Sequence, residues 1–563
     1  MAVETTASEN KSQKKHDGNV KETIESILVA FILAFVFRAF VVEAFVIPTG
    51  SMGPTLMGAH MRVTCDDCGY SFQINYSATN SRGDDTDIPA SVKVQNGATA
   101  TCPNCGYRQP IGKSGSEPVY FGDRILVLKN LYVFQEPQRW DVIVFKSPFE
   151  KNRDPDDPKY PDAYIKRLIG KPGESVMVLG GDVYLGKPGM KPQDFRIQRK
   201  PRYAQQALWR DAYDNDYLPH GLARGPTTPA WTDPWSVESG TGWHGPSGTD
   251  NPSRRFRFDN PQGSSAVVYN STVNHPAFDS LTDWLAYDQF DPFSGGTSNS
   301  YVSDLKLSCA YTRHAGQGPL RLQLTKHEDC FTAEFLPGKV VLHRDRVSSP
   351  DPLRLGEAVW KTPLVVSVSE LGTIDKPVGI EFSNVDYRVS IRINGRDVLT
   401  TTDEQYYPDI SALYQAALDN PRQRGKSEAD KPIVRLVGEN QTCSIDHLRL
   451  ARDVYYLNIG PRDTAEGDPR SGQPFWGSPE NIQNLGPDEY FAMGDNSLVS
   501  LDARFWGAPV DLPHEGGYHV DAGKVPGRFL LGKAFFVYWP AGYRPPSLSF
   551  GIEPDFGDMR FIH

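Results

Sequence analysis

An apolar run near the N-terminus is the first pattern along the chain. Residues 23–42 are mostly apolar, and as a helix they would extend about 30 Å, the thickness of the hydrocarbon layer of a bilayer. Residues 1–22 are polar, carry four lysines and predict a disordered tail. The pattern predicts one transmembrane anchor. Its N-terminus is expected in the cytoplasm, because the flanking segment that carries more lysine and arginine stays on the cytoplasmic side of the membrane. A cleaved secretory signal and a buried helix are the alternatives.

Short apolar runs rich in Val and Ile, typical of strands, follow the anchor. They occupy residues 124–134, 141–147, 164–170 and 175–186. Residues 225–462 differ, with many short alternating runs rich in Trp, Tyr, Ser and Thr. Within them, residues 378–402 alternate on both sides of Asn394-Gly395, which predicts a β-hairpin. Strand-like runs rich in Val and Phe occur again towards the C-terminus. The chain is therefore predicted to be mainly β, with one β domain interrupted by an inserted β-sandwich.

The composition narrows the class of protein. The chain has 563 residues, of which 39% are hydrophobic and 23% charged, and a formal net charge of −10. That charge argues against nucleic acid as a partner, and the mean hydropathy of −0.46 excludes a multi-span membrane protein. The length predicts two to four domains, and the 50 glycines and 45 prolines favour strands and loops over helical bundles.

Two cysteine pairs indicate a metal site. Each pair has the spacing C-x2-C-G, in which one backbone turn can present two sulfurs to one ion. The predicted ligands are Cys65, Cys68, Cys102 and Cys105. Four thiolates would fill a tetrahedral site, so the zinc is predicted to be structural, in a zinc ribbon over residues 61–112. A pair of disulfides is the alternative, because the predicted topology exports this segment. The remaining cysteines, Cys309, Cys330 and Cys443, show no pattern that assigns a pairing.

A serine and a lysine are the candidate catalytic pair. Ser51 lies in Pro-Thr-Gly-Ser-Met-Gly-Pro, where prolines restrict the backbone and glycines allow close approach of other chains. Lys166 lies in an apolar strand pattern and shares a face with Tyr164 and Leu168. Burial would lower the pKa of its amine and make it a base for the serine proton. Considered alone, Ser51 would be interpreted as an ordinary serine of a turn, and Lys166 as a solvated lysine of a strand.

The order of motifs resembles a known family. The predicted anchor is followed by PTGSMGPTL (48–56), GDRILV (122–127), YIKRLIGKPGE (164–174) and GDNSLVSLDARFWG (494–507), and VPGRFLLGKAFFVYWP (525–540) matches a closing strand. On these motifs the chain resembles bacterial type I signal peptidase, a membrane-bound serine endopeptidase that removes signal peptides from exported proteins. The resemblance covers less than half of the chain.

The resemblance implies roles for individual residues. Ser51 matches the nucleophile and Lys166 the general base of a Ser-Lys dyad. Thr49 matches a hydroxyl of the oxyanion hole, where the family often has serine. Ser500 and Asp502 match a Ser-x-Asp pair that orients the lysine and supports the site. Arg504 matches the family's arginine, with Ala503 standing where serine is usual. The implied walls of the substrate pockets are Phe45, Ile47, Met52, Leu56, Tyr164 and Ile165.

The sequence patterns and the resemblance together predict a domain plan, and the resemblance implies a location. The plan is a cytoplasmic tail (1–22), a transmembrane anchor (23–42), a catalytic β domain in three parts (43–60, 113–195 and 463–563), the ribbon (61–112), a connector (196–224) and the inserted β-sandwich (225–462). The protein would be a single-pass protein of the bacterial inner membrane, with its catalytic domain on the periplasmic face. It would act on signal peptides of exported preproteins, cleaving after small-x-small sites, and would need no cofactor for catalysis.

The insertion is where the chain departs most from the family pattern. Its hairpin region is faintly similar to concanavalin-type (laminin-G-like) sandwiches, and its sequence identifies no ligand or protein partner. The alternative function is therefore a membrane-anchored binding protein in which the sandwich works and the peptidase half is inactive. The joint presence of Ser51, Lys166, Ser500 and Asp502 argues against that alternative, because an inactive relic has no need for a buried lysine.

Overall fold

The computed structural model describes most of the chain. The described residues are 21–33, 41–76, 91–93, 98–112, 115–148, 163–221, 230–245, 254–275, 278–290, 300–347, 357–420, 430–457, 475–506, 510–512, 518–541 and 555–563. Most of the predicted tail and residues 34–40 of the predicted anchor lie outside these ranges. The prediction of a mainly β protein is confirmed.

The strands that precede the insertion include both short strands of hairpins and longer apolar strands. They are β1 (Val42–Val46), β2 (His60–Thr64), β3 (Ser71–Asn75), β4 (Ser91–Lys93), β5 (Thr99–Thr101), β6 (Arg108–Pro110), β7 (Ser116–Pro118), β8 (Arg124–Lys129), β9 (Val142–Lys146), β10 (Ala163–Gly170), β11 (Ser175–Leu179), β12 (Asp182–Gly186) and β13 (Arg196–Ile197).

The strands of the insertion are longer on average. They are β14 (Arg210–Asp214), β15 (Trp235–Gly240), β16 (Trp243–His244), β17 (Phe256–Tyr269), β18 (Leu305–Gly316), β19 (Leu320–Lys326), β20 (Asp329–Leu336), β21 (Lys339–Arg346), β22 (Leu364–Ser367), β23 (Val378–Val385), β24 (Arg388–Ile393), β25 (Arg396–Thr400) and β26 (Val434–Arg452). The predicted hairpin at Asn394-Gly395 joins β24 to β25, with both turn residues at positive φ.

The C-terminal strands complete the sheets begun before the insertion. They are β27 (Gln483–Asn484), β28 (Glu489–Met493), β29 (Val510–Leu512), β30 (Tyr518–Val520), β31 (Val525–Pro526), β32 (Leu530–Trp539) and β33 (Arg560–Phe561). The described helices are α1 (residues 21–33), α2 (Leu131–Phe134), α3 (Arg202–Leu208) and α4 (Ile410–Asp419). Within the described ranges, no helix is both long and apolar enough to cross a membrane.

An eight-stranded antiparallel sheet carries the candidate site. Its strand order is β1-β8-β32-β9-β10-β28-β31, with β33 added beside β32. β32, which follows the insertion in sequence, lies between β8 and β9, which precede it, and β28 pairs with β10. The two halves of the sequence therefore form one sheet. The small sheet β13-β12-β11-β27 combines the two halves in the same way. Strands on both sides of the insertion therefore share two sheets.

The insertion forms a 13-stranded sheet, and its apolar core also includes residues of β11, β12 and β13, among them Met177, Tyr184 and Ile197. The long strand β26 pairs with β14, β17, β18 and β19, and so connects the whole sheet. The strand β14 lies in the segment predicted as a connector, yet it pairs with the end of β26 through Arg210 and Arg452. The inserted sheet therefore begins at Arg210 and not at residue 225, because helical composition ends at Leu208 and an alternating strand follows.

Candidate active site

The turn that bears Ser51 is a single 3-10 turn, Gly50–Met52, directly after β1. Ser51 is half-buried, whereas Gly50 and Met52 on either side of it are buried. Its carbonyl oxygen accepts a hydrogen bond of 3.1 Å from the backbone N–H of Asn496. The Gly-Asp-Asn segment after β28 therefore fixes the serine from the C-terminal half of the chain.

Lys166 reaches this turn from the middle of β10. Its Nζ lies 2.7 Å from Ser51 Oγ, and it donates a hydrogen bond of 3.0 Å to the carbonyl oxygen of Ile165. Lys166 and Tyr164 lie on the same face of the strand, as the sequence predicts, with Nζ 5.4 Å from the centre of the Tyr164 ring. The structure thus brings together the serine and the lysine that the sequence paired across 115 positions.

Burial sets the electrostatics of this amine. Lys166 is 4% exposed, and its desolvation lowers its pKa from 10.5 to about 8. The negative charges of Asp502 and Asp495 oppose this shift, and the positive charge of Arg504 adds to it. An amine with a pKa near 8 is uncharged in roughly one molecule in ten at pH 7. The uncharged form can accept a proton from Ser51.

Asp502 is held by Arg504 and by the backbone. The guanidinium of Arg504 donates from Nε and from Nη2 to the two carboxylate oxygens, at 2.9 and 2.7 Å. The backbone N–H of Gly494 adds a third hydrogen bond, at 2.8 Å. Asp502 and Arg504 are both buried. The bidentate pair fixes the position of the Asp502 carboxylate near the lysine.

Ser500 lies beside the site without reaching the lysine. Within the described part of the chain, no group lies within hydrogen-bonding distance of its Oγ, which is buried. The hydroxyl packs against Gly494, where an added Cβ would lie 2.2 Å from it. The hydrogen bond from Ser500 to Lys166 that the resemblance implies is absent here, and Ile165 supplies the second acceptor of the amine instead.

Thr49 caps the serine turn on its exposed side. It has an extended backbone, with φ −111° and ψ 158°, and its side chain makes no capping hydrogen bond. The side chain is exposed. Its hydroxyl is thus on the accessible side of the turn, two residues before Ser51.

The six implied pocket residues divide into two groups. Ile47, Met52 and Leu56 are almost fully buried in one apolar cluster. Phe45 and Ile165 are half-buried and pack against the same cluster. Tyr164 is also half-buried and packs against the neighbouring cluster. Only the half-buried group has surface to offer a ligand, so the other three residues form the floor beneath it.

A buried ion pair lies on the opposite face of β10. Arg167 donates to both carboxylate oxygens of Asp495, each at 2.7 Å, and both side chains are completely inaccessible to solvent. The guanidinium also donates to the carbonyl oxygen of Trp140 and to a backbone oxygen of His563. The sequence analysis did not assign a role to Arg167. A charged residue directly after Lys166 in a buried strand was the signal, because such a residue needs a buried partner of opposite charge.

The four paired cysteines meet at the tips of two hairpins. Cys65 and Cys68 join β2 to β3, and Cys102 and Cys105 join β5 to β6. The separation of Sγ atoms across the hairpins is 3.7 Å for Cys65–Cys105 and for Cys68–Cys102. All four sulfurs lie within 4.8 Å of one another and are buried, and all four cysteines are free thiols.

The two cysteine turns repeat the same backbone geometry. In each, the first cysteine accepts a hydrogen bond from the N–H of the glycine that follows the second cysteine, at 2.9 and 3.0 Å. Those glycines, Gly69 and Gly106, have φ values of 77° and 72°, a region that favours glycine. The two cysteines of the motif C-x2-C-G place their sulfurs together, and its glycine adopts the positive φ that closes the turn.

Comparison with known protein families decides the classification. The family model described as "Signal peptidase, peptidase S26" matches residues 20–75, 107–223 and 391–539. These ranges contain Ser51, Lys166, Asp502 and Arg504. The chain belongs to this family. The resemblance found in the sequence is thereby confirmed for this S26 peptidase. Residues 76–106, which include Cys102 and Cys105, and residues 224–390 of the insertion fall between the matched ranges.

Curated relatives support the same classification. The chain is 29% identical over 192 residues to signal peptidase I of Leptolyngbya laminosa, which covers 34% of the chain and 62% of that protein. It is 26% identical over 176 residues to signal peptidase I of Rickettsia typhi, covering 31% of the chain and 47% of that protein. The chain thus spans less than two thirds of the length of these relatives.

Two solved structures illustrate the likeness to known folds. A carbohydrate-binding module CBM66 from Bacillus subtilis is 10% identical, with a TM-score of 0.21, over 38% of this chain and 94% of that chain. Sheep galectin-11 is 10% identical, with a TM-score of 0.18, over 27% of this chain and 92% of that chain. At these TM-scores neither likeness bears on the fold or the role of the insertion.

Proposed function

We propose that this S26 peptidase is a membrane-anchored serine endopeptidase that removes signal peptides from exported preproteins, with Ser51 as nucleophile and Lys166 as general base. The single observation that carries the proposal is the 2.7 Å separation between Lys166 Nζ and Ser51 Oγ. The lowered pKa of the buried amine supports it. An inactive peptidase half is not favoured, because a relic has no reason to keep an amine buried beside a hydroxyl.

The chemistry follows from these two groups. The uncharged amine of Lys166 takes the proton of Ser51 Oγ as the oxygen attacks the scissile carbonyl carbon. The protonated amine then gives that proton to the leaving amine of the mature protein, and an acyl-enzyme remains on Ser51. Water, deprotonated by the same lysine, attacks the ester and releases the signal peptide. The electrons of the broken peptide bond leave with the amine nitrogen.

The oxyanion needs donors on the exposed side of the turn. The Thr49 hydroxyl and the backbone N–H of Ser51 are the candidates, and the exposure of Thr49 supports this assignment. One such donor is worth about 3 kcal/mol of transition-state stabilisation. Asp502 and Arg504 support the site by fixing the charge near the amine, and Ser500 is available to bond the lysine if the side chain rotates.

The substrate is proposed to bind as an extended strand near β1. This strand lies at one end of the described strand order and ends next to the serine turn, so a peptide added beside it would pass Ser51. The half-buried side chains of Phe45, Tyr164 and Ile165 would form shallow apolar pockets there. Such pockets admit alanine and exclude larger side chains, which gives a small-x-small preference.

Cleavage of a preprotein with alanine at the first and third positions before the cut tests the function. We expect the detergent-solubilised full-length protein to release a mature protein with the expected new N-terminus, identified by mass spectrometry. A matched preprotein with leucine at the first of these positions is expected to be cleaved about 10- to 100-fold more slowly, because the larger side chain clashes with the pocket. Equal cleavage of the two preproteins would contradict the proposed specificity.

The N-terminal helix supports a membrane anchor. The side chains of residues 21–33 are all exposed, and several are large and apolar, among them Ile24, Phe31 and Leu33 at 60–62% exposure. Such a surface is unfavourable in water and favourable in lipid. We infer a single-pass protein of the bacterial inner membrane with a periplasmic catalytic domain, so that the enzyme meets substrates tethered in the same bilayer.

The four cysteines fit a structural zinc ion. A tetrahedral ion with Zn–S bonds of about 2.3 Å requires sulfurs about 3.8 Å apart, and the observed separations are 3.7 Å. Four thiolates leave no coordination position for substrate, so the ion would stabilise the ribbon and would take no part in catalysis. Free thiols in this arrangement favour the ion over the pair of disulfides that the sequence left open.

Metal analysis provides the test of this site. We expect about one zinc per purified chain, and loss of that zinc in Cys102→Ser, because three thiolates bind zinc far more weakly than four. Cys330→Ser is the matched control, since Cys330 lies in the inserted sheet and outside the cysteine cluster. Zinc absent from the native protein, or retained equally by both variants, would be evidence against the site.

A further inference from the structure

The inserted domain contacts the turn that bears the nucleophile. A 3-10 turn of the insertion, Ala286–Asp288, lies directly against Gly50 and Gly53. A Cβ atom added to Gly50 would lie 2.7 Å from Tyr287 Cε1, and one added to Gly53 would lie 2.6 Å from the same atom. The glycines on both sides of Ser51 are therefore needed for the ring of Tyr287 to pack there.

A hydrogen-bonded chain continues from this contact into the active site. The side-chain amide of Asn496 donates to Asp288 Oδ1 at 2.9 Å and to the carbonyl oxygen of Gly50 at 3.1 Å. The backbone N–H of Asn496 donates to the carbonyl oxygen of Ser51 at 3.1 Å. Asp288 and Asn496 are both completely buried. One asparagine thus connects the insertion with two consecutive carbonyl groups of the serine turn.

We propose that Asp288 is a positioning residue for the nucleophile, so that the insertion supplies part of the active-site scaffold. An asparagine amide has two donors on nitrogen and one acceptor oxygen, and rotation by half a turn exchanges them. The carboxylate of Asp288 accepts hydrogen bonds, so the amide nitrogen faces it and its other N–H is directed at Gly50. This role rests on the proposed peptidase function of Ser51 and Lys166.

The ribbon supports the same turn from another side. Asn75, at the end of β3, approaches Gly50 so closely that an added Cβ would lie 2.5 Å from Asn75 Nδ2. Gln289, directly after the 3-10 turn of the insertion, accepts a hydrogen bond of 2.7 Å from the backbone N–H of Thr101 in the ribbon. The serine turn is therefore packed between Asn75 and the 3-10 turn of the insertion.

Replacement of Asp288 tests the proposal. In Asp288→Ala we expect kcat for preprotein cleavage to fall roughly 10- to 100-fold with KM within about twofold, because a displaced nucleophile affects the chemical step and not substrate docking. Asp288→Asn keeps an acceptor oxygen for Asn496, so its kcat should recover to within about threefold of wild type. A purely structural role would not give this recovery together with an unchanged KM.

Asp279→Ala is the matched control within the insertion. Asp279 is 8% exposed, accepts a hydrogen bond from the backbone N–H of Leu281, and pairs with Lys431. These partners all belong to the insertion, so its replacement should perturb that domain and leave kcat within about twofold. An equal fall of kcat in Asp279→Ala and Asp288→Ala, or no fall in Asp288→Ala, would overturn the proposal.

Hydrogen exchange separates this inference from the proposed function. Peptides covering residues 48–57 are expected to exchange at least about threefold faster in full-length Asp288→Ala than in wild type or Asp279→Ala, because the serine turn loses a support. This measurement needs no enzymatic activity. If wild type cleaves nothing but the turn loosens in Asp288→Ala, the peptidase function fails and the scaffold role stands. Unchanged exchange refutes the scaffold role even in an active enzyme.

Discussion

Replacement of Ser51 by alanine, or of Lys166 by methionine, is expected to lower kcat/KM for preprotein cleavage by about 10⁴-fold or more. Each change removes one member of a dyad whose two reactive atoms lie 2.7 Å apart. In such a unit, removing one residue lowers activity about as much as removing both. The double variant should therefore be no less active than either single variant within error. Methionine keeps the apolar stem of the buried lysine and removes only its amine, so folding should be preserved.

The control and the pH dependence make this prediction specific. Lys187→Met alters an exposed lysine in the turn after β12 and should leave activity within about twofold. In wild type, kcat/KM should rise with pH and level off above about 8, because Lys166 must lose its proton before it can act as a base. Below that pKa the rate should fall about tenfold per pH unit. A plateau reached only near pH 10, or appreciable cleavage by Lys166→Met, would refute the assignment.

The proximity of Ser51 and Lys166 could be predicted from the sequence because its signals are local. A lysine in an apolar strand and a serine between two prolines each occupy a short motif, and their spacing to the other motifs identified the family. The cysteine turns were likewise readable, since Gly69 and Gly106 adopt the positive φ that the motif C-x2-C-G requires. In each case the residue types and their neighbours in sequence contain the physical reason for the geometry.

The supports of the site were not predictable in the same way. Asp288 is 208 positions from Asn496, and nothing in its own surroundings marks it as facing the serine turn. The segment of β14 was interpreted as a connector because of its helical composition, whereas its partner in β26 lies more than 200 positions away. Contacts of this kind depend on how the inserted sheet is placed on the peptidase, and a single sequence contains no local pattern for that placement.

The buried pair of Arg167 and Asp495 leads to the second large effect. Asp495→Asn is expected to lower the free energy of unfolding of the peptidase domain by about 3–5 kcal/mol, because it removes the bidentate carboxylate partner of Arg167 in a site with no solvent access. The bond from Arg167 to Trp140 involves a neutral carbonyl oxygen, which satisfies a donor without balancing the charge.

The measurement should follow the peptidase domain alone, because a chain with an inserted domain need not unfold in one step. The urea concentration at which half of the cleavage activity is lost does this, and for Asp495→Asn it should fall by at least about 1 M. Glu328→Gln is the control, since Glu328 pairs with Arg346 on the surface, where the side chains are 81% and 48% exposed. That exposed pair should contribute less than about 1 kcal/mol. Equal urea midpoints for the two variants would show that the buried pair does not hold β10 to the Gly-Asp-Asn segment.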